Sequence, residues 1–524
     1  MATLLRRLED LAARRLGVVL LFLLALAVYT VRAIGWPLAG GRDLDEYLYD
    51  YVQFFDWHPL LPWSMLFRTP VPGVVDGVAL DVAGGFFAEP LMAVLYAGSV
   101  VAWVVAARAF GARAALLVAL ALLTYPAYGL MFHEISSEPV FAAAFSLWAL
   151  LVVRATRSPS SARFAVVGAG VALLALIRPG NAVLLAFVVL PFVLAGDLRR
   201  RVTRAAAFLL AALLPLAAWA VLNGVRFGDY ALARGGNAVI PFYRAYITDK
   251  IVATGNGPAS RRLADAVRNH LITRDPYKSY GVTVREVFRS GSFRIHEDFY
   301  VLSDQVFGWD TNYSVLRKAG IEAVRKHPGT YASGVLDTIW EQLSKSYFRT
   351  PPGRQAATPA QPVVEVKGQK LPAPTEGQPI PAGQSVWISR PDNCIRDVWT
   401  SAIAHHFTFC RPGYKRRFDA ISHELNALFA GLPDRTGNGW LALRMNQASR
   451  WYPRLILWIA LGLIGVALRR PKGTGTLVAI AATAFVVILL NALGLFADPR
   501  FALPVAPAFV FFGSCALLGR RNEH

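Results

Sequence analysis

Charge is scarce in this chain: of 524 residues only 17% are charged, while 55% are apolar and the mean hydropathy is +0.40. Those proportions exclude an ordinary soluble protein, and the length exceeds one domain, so an integral membrane protein is expected. Cysteine is scarcer still. Cys515 lies in an apolar run and reads as inert, whereas Cys394 and Cys410 could pair only in an oxidising compartment. The sequence contains no P-loop, no dinucleotide fingerprint and no internal repeat, and no run of in-membrane charge that would mark ion-coupled transport. A cleavable signal peptide is not evident either. The apolar segment from Leu16 to about Leu38 is too long for one and reads as a retained first span.

What is present is apolar runs of near-bilayer length. They fall at about 16–38, 86–107, 112–130, 136–153, 163–177, 180–196, 205–223, 452–468, 474–494 and 501–519. The two runs flanking Arg178-Pro179-Gly180 are short, and read either as two spans with a tight turn or as one broken element. The formal charge of +20 does not imply nucleic acid, because basic loops beside anionic headgroups account for it. Eighteen Arg and Lys residues lie on one side of the alternating spans. Five (Arg32, Arg42, Arg68, Arg178 and Arg500) lie on the other. Both termini are therefore expected in the cytoplasm.

This topology predicts an all-α polytopic membrane protein with about ten transmembrane helices and a mostly helical external domain between the seventh and eighth. Residues 1–223 form an amino-terminal membrane module whose first external loop is 39–85. Residues 224–450 form the external domain, helical for instance across Ile321–Leu343, with a Pro-rich mobile loop at 350–384. A further helical segment is expected between Cys394 and Cys410. Residues 451–524 form the second membrane module.

The loop Gly41–Pro62 is the candidate seat of chemistry. As a helix from Leu44, it puts Leu44, Leu48, Tyr51 and Phe55 on one face, suited to the membrane interface. Asp45 and Tyr49 lie along the border of that stripe with Asp56, while Glu46, Asp50 and Gln53 point further toward water. A carboxylate at such a border is partly desolvated, which suits a base. A solvated polar face beside a span is the other reading, and spacing alone favours it. His58, at the His58-Pro59 turn, is either a phosphate ligand or structural. Residues His133, Glu134 and Glu138 share the next external turn. Their spacing excludes a zincin and leaves interfacial capping by Ser136 or Ser137 as the plain alternative. Arg178 and Arg500 sit at span ends, where an arginine either captures phosphate or snorkels to headgroups.

Taken in order, several motifs resemble the polytopic GT-C glycosyltransferases, in the bacterial branch similar to protein O-mannosyltransferases and lipid A aminoarabinose transferase. They are Asp45-Glu46 with Tyr49, His58-Pro59-Leu60, Ser137-Glu138-Pro139 and Ile177-Arg178-Pro179. Further on come Arg234-Gly235-Gly236-Asn237, Lys326-His327-Pro328-Gly329 and Asp498-Pro499-Arg500-Phe501. The resemblance covers about 10–350 and 450–520.

It implies an inverting transferase that takes a sugar from a polyprenyl-phosphate donor at the outer face of a bacterial inner membrane, as part of cell-envelope chemistry. Asp45 would be the catalytic base and Glu46 would position the acceptor, which could be glycan, lipid or protein. Arg500 and Arg178 would hold the donor phosphate. Asp43, Tyr49, His58, His133, Glu134 and Glu138 complete the expected substrate contacts. Asp43-Leu44-Asp45 also reads as a metal-associated DxD, so a divalent ion stays open, with a metal-independent site preferred. The competing reading is a flippase for polyprenyl-linked glycans.

Overall fold

A computed structural model describes residues 15–41, 43–60, 62–194, 197–236, 239–274, 277–278, 281–291, 295–346, 363–366, 369–372, 387–388, 395–399, 405–409, 412–432, 440–495 and 498–520. Helix α1 (Arg15–Gly35) leads into a two-residue strand, β1 (Ala39–Gly40). Three short helices follow, α2 (Leu44–Val52), α3 (Pro62–Phe67) and α4 (Pro70–Ala83). Then come α5 (Gly85–Arg108), α6 (Ala112–Leu123), α7 (Pro126–Met131), strand β2 (Glu134–Ile135), α8 (Ser137–Arg157) and α9 (Ser161–Ile177). A 3₁₀ run, Pro179–Val193, and α10 (Leu198–Phe227) end the first membrane half.

The middle of the chain holds α11 (Arg244–Ile247), α12 (Pro258–Ala266), α13 (Val284–Ser290), α14 (Val301–Val306), α15 (Ser314–Lys326) and α16 (Pro328–Ser344). Strands β3 (Val363–Val366) to β7 (His405–Phe409) are followed by α17 (Pro412–Ala430) and α18 (Trp440–Ala448). The last spans are α19 (Leu455–Arg469), α20 (Thr474–Gly494) and a 3₁₀ turn, Pro499–Val505, continuing into α21 (Ala506–Leu518).

Six of these elements are long and apolar enough to cross a membrane, and four shorter apolar ones fall on the remaining expected runs. The chain is thus a polytopic helical membrane protein. Exposure is inverted relative to a soluble fold, with Leu20, Leu23 and Leu24 of α1 and Leu210, Leu213 and Leu214 of α10 turned outward. The carboxy-terminal α21 fills the centre, and Ala506 through Ala516 are all buried. Helix starts follow local chemistry. Ser160 accepts from Arg163 N and Asp197 from Arg200 N, each satisfying one orphan amide, while Pro70, Pro126 and Pro328 open helices where no donor is lost.

The uncertain pair around Arg178 is two elements. α9 ends at Ile177, Arg178 is extended, and the 15 residues from Pro179 to Val193 are 3₁₀. A 3₁₀ rise of about 2.0 Å per residue lets such a run cover roughly 30 Å, the thickness of a hydrocarbon core, where α-helix would reach only about 22 Å. The short apolar run spans by stretching.

Loops assigned to opposite sides by charge gather at opposite ends. At one end Arg520 N donates to Phe110 O (2.9 Å) and Lys472 N to Arg520 O (3.0 Å). At the other, β1 and β2 pair in parallel, Ala39 opposite Glu134 and Gly40 opposite Ile135. That clip joins the exit of α1 to the entry of α8. Arg32, counted among the outer cations, is fully buried. Its Nη2 donates to Leu123 O (3.2 Å) and caps the C-terminus of α6, where a cation offsets the helix dipole.

The expected helical stretch Ile321–Leu343 is helical as two elements, α15 and α16, meeting at His327-Pro328, where Pro opens the second. Three expectations need correction. The stretch between Cys394 and Cys410 carries strands instead of helix. Ile395–Trp399 (β6) pairs antiparallel with β7, Ile395 opposite Phe409, and Trp387–Ile388 (β5) adds a third strand. Val363–Val366 and Gln369–Pro372 (β4) form a separate hairpin within the Pro-rich stretch. Helix α2 buries Leu44 and Leu48 against protein rather than lipid, because α4 and α17 cover it. It also stops at Val52, so Phe55 leaves the stripe and is exposed, while Gln53 turns inward and accepts from Leu60 N (2.8 Å). Arg42, Asn237, Cys394 and Cys410, and most of 350–384, lie outside the described residues.

Residues 242–323 have a core of their own, built on Phe242, Tyr246, Leu263, Phe299, Tyr313 and Leu316. Two buried arginines organise its edges. Arg234 pairs with Asp229 (3.1 Å) and Asp304 and lies on the face of Trp309. Arg244 grips Asp249 with two bonds (3.0 and 3.1 Å) and reaches Thr338 Oγ1, Ala492 O and Leu495 O.

Candidate active site

The β1–β2 clip fixes where the first loop meets the fourth span. Gly41 N donates to Ile135 O (2.9 Å), and a Cβ on Gly41 would lie 2.6 Å from Ser136 Cβ. Only a glycine lets the chain pass so close. Two residues later Asp43 adopts a left-handed conformation (φ 61°, ψ 16°) as α2 begins. That is uncommon outside glycine, and a short polar side chain tolerates it best. The turn presents Asp43, Asp45 and Glu46 together.

Arg68, between α3 and α4, answers them. Its guanidinium pairs with Glu46 and lies 3.4 Å from Asp43, and it stacks over Tyr47 at 5.2 Å. Asp45 reaches the surface, yet the surrounding protein displaces enough water to raise its carboxyl above the usual range. The Asp43 charge raises it further, and Arg68 opposes both.

A second group sits across Tyr47. At the start of α8, Glu138 accepts from Arg178 Nη2 (3.0 Å), and the same nitrogen donates to Ser137 Oγ (3.1 Å). Arg178 also lies over the Phe141 ring at 5.2 Å. Its side chain is only 20% exposed and is held by Glu138 and Ser137 instead of reaching out to headgroups. Arg500 pairs with Asp498 (3.0 Å) and adds its charge to that of Arg178 on Glu138. Glu134, Glu138, Asn446 and Arg500 line one small cavity. Buried Tyr47 joins the two groups: its hydroxyl is hydrogen-bonded to Ser137 and feels Arg178, Glu138 and Asp43, and burial raises it above a free phenol.

The chain is similar to ArnT. The solved structures of that protein from Cupriavidus metallidurans match in two states. The one bound to undecaprenyl phosphate shares 14% identity over 96% of this chain and 77% of that chain, with a TM-score of 0.34. The apo state shares 15% over 96% and 76%, with a TM-score of 0.32. No family model and no curated protein matches the sequence. Likeness at this level leaves the site to be argued from its own residues.

Of the residues singled out in the sequence, the fold therefore brings together Asp43, Asp45, Glu46, Glu134, Glu138, Arg178 and Arg500. It places three elsewhere. His133 is fully buried and stacks on Tyr29, ring centroids 4.1 Å apart. Tyr49 packs with Leu60, Phe418 and Leu425 against α17. His58 is exposed in a turn held by its own amide on Asp56 Oδ1 (2.9 Å) and by Arg417, which bonds Asp56 and the His58 carbonyl. That geometry is the structural one. Among the described residues no three His, Cys, Asp or Glu side chains converge as a metal cage.

Sequence reasoning missed Tyr47, Arg68 as a partner of the acids, and Asn446. Only Arg68 carried a signal, as one of the few cations on the acid-bearing side.

Proposed function

We propose that this protein is a membrane glycosyltransferase that moves a sugar from a polyprenyl-phosphate donor to an acceptor at the outer face. The observation that carries the reading is that the charges of Arg178 and Arg500 both act on Glu138, and that Tyr47 links this group to Asp43, the neighbour of Asp45 in the acidic turn. Two arginines from distant parts of the chain form an anion site, and Asp45, with a raised carboxyl, is suited to taking a proton near neutral pH. The acceptor hydroxyl oxygen attacks the anomeric carbon while Asp45 takes its proton. The bond from that carbon to the phosphate oxygen breaks on the opposite side, giving inversion. The departing polyprenyl phosphate gains charge, which Arg178 and Arg500 stabilise. Because phosphate is already a good leaving group, no acid is required. Glu46, held by Arg68, orients the acceptor. Undecaprenyl phosphate, bound in one ArnT structure, is the natural carrier to test.

The decisive experiment is Asp45→Asn in purified protein with a polyprenyl-phosphate sugar. Transfer should fall by about 10³-fold or more while donor binding persists. Full transfer by the variant would refute Asp45 as the base, and translocation without transfer by the wild type would favour a flippase.

A further inference from the structure

Helix α4 carries an acid inside an apolar run, Val74-Val75-Asp76-Gly77-Val78. Asp76 is fully buried, and neither carboxyl oxygen has a hydrogen-bond partner. The burial follows from close helix packing. A Cβ on Gly73 would lie 2.9 Å from Tyr47 O, and one on Gly77 would lie inside the Tyr51 ring, so α4 rests directly on α2. It also contacts α8 and α9. The titratable groups facing this packing are Tyr47, Asp50 and Tyr51 from α2, Glu138 from α8, and Arg178 just beyond α9. Asp50 is occupied by Ser64 (3.1 Å) and Tyr51 by Asp81 (2.8 Å). Glu138 is the charge that acts on Asp76, and burial with that charge pushes the Asp76 carboxyl well above the usual range.

A buried carboxylate without a hydrogen-bond partner is strongly disfavoured, so the group keeps its proton. It is then an unused O–H donor on the helix packed against α8, whose Glu138 holds Arg178 and feels the charge of Arg500. Glu138 in its resting state is satisfied by Arg178 and Ser137. If donor phosphate takes the arginines, Glu138 is left as a nearly buried anion needing a replacement. We propose that Asp76 is a positioning residue, a neutral carboxylic acid whose O–H becomes the donor to Glu138 when a phosphate group draws Arg178 and Arg500 away. This rests on the reading that those arginines take the donor phosphate. The proton stays on Asp76 throughout and is shared along the new hydrogen bond, as between paired carboxyls elsewhere. The arrangement lowers the cost of lending the arginines to substrate.

The test is infrared difference spectroscopy on the full chain in lipid nanodiscs, with undecaprenyl phosphate as probe and its binding followed by native mass spectrometry. Wild type should show the carbonyl band of a protonated carboxylic acid that Asp76→Asn lacks, and saturating probe should move that band to lower frequency. Asp76→Val should weaken probe binding about tenfold, and Asp76→Asn, which keeps an N–H donor, should restore most of it. Should the valine variant not fold, the wild-type and asparagine spectra still decide. An absent acid band, a band unmoved by bound probe, or wild-type affinity in Asp76→Val would each overturn this proposal alone. Failure of the wild type to bind the probe would overturn the phosphate reading together with it.

Discussion

At the scale of single residues, the acids at the start of α2 are a tuned set. Asp45 must be ionised to act as base, so transfer is lost as pH falls through its folded value. Burial and the Asp43 charge raise that value and Arg68 lowers it, so the acid limb should lie above about 3.9, the value of a free aspartate. Asp43→Asn removes a raising charge and frees Arg68 toward Asp45. Both effects act in one direction, and the limb of the pH–rate profile should move to lower pH. Arg68→Gln should move it to higher pH. Equal limbs in both variants would show that another group titrates. The residue types at Asp45 and Glu46 were legible from the sequence because carboxylates beside a span need a reason. Their ranking against Glu138, Tyr47 and Ser137 was not, since those contacts join residues about ninety positions apart and leave no local pattern.

At the scale of elements, close approach of helices is what builds the site, and glycine sets it. In a helix interior, Gly→Ala gains roughly 1 kcal/mol of helix propensity. At Gly98 of α5 nothing lies within 4 Å of a new Cβ, so Gly98→Ala should stabilise by about that amount. At Gly73 the same Cβ meets the Tyr47 carbonyl at 2.9 Å, and backbone does not swing aside as a side chain would. Overpacking costs about 1–3 kcal/mol, which outweighs the propensity gain. Gly73→Ala should therefore lower thermal stability and displace Tyr47, reducing transfer as well. Melting curves of the two variants in detergent should diverge in sign. Which helices exist was readable from length and apolarity, because lipid demands about 20 apolar residues per span. That 179–193 would wind as 3₁₀ was not readable, since an all-apolar run has no periodicity to betray its pitch. Nor was the covering of α2, because a stripe of Leu and Tyr is the same whether it faces lipid or another helix.

At the scale of the whole molecule, buried polar links join the middle of the chain to the membrane helices. Arg244 is the clearest, touching Asp249, Thr338 and the carbonyl ends of α20 at Ala492 and Leu495. Arg244→Met would leave Asp249 and those carbonyls without their donor. Removing one partner of a buried pair costs about 3–5 kcal/mol, so the variant should melt earlier, and hydrogen exchange should rise first at the α11 and α20 ends.

Sidedness closes the argument, because every proposed role of the first loop depends on it. The clip β1–β2, Arg178 and Arg500 share one end of the bundle, and Phe110, Lys472 and Arg520 share the other. The basic excess lies at the second end, which the positive-inside rule assigns to the cytoplasm. Thr254 and Ser158 are both exposed, Ser158 at the C-terminus of α8 and Thr254 shortly after Arg244, which reaches the C-terminal end of α20. In a cysteine-free background a membrane-impermeant maleimide added to intact cells should label Thr254→Cys and leave Ser158→Cys unlabelled until the membrane is broken. The reverse pattern would put Asp45 and the arginine pair in the cytoplasm, where an outer-face donor could not reach them.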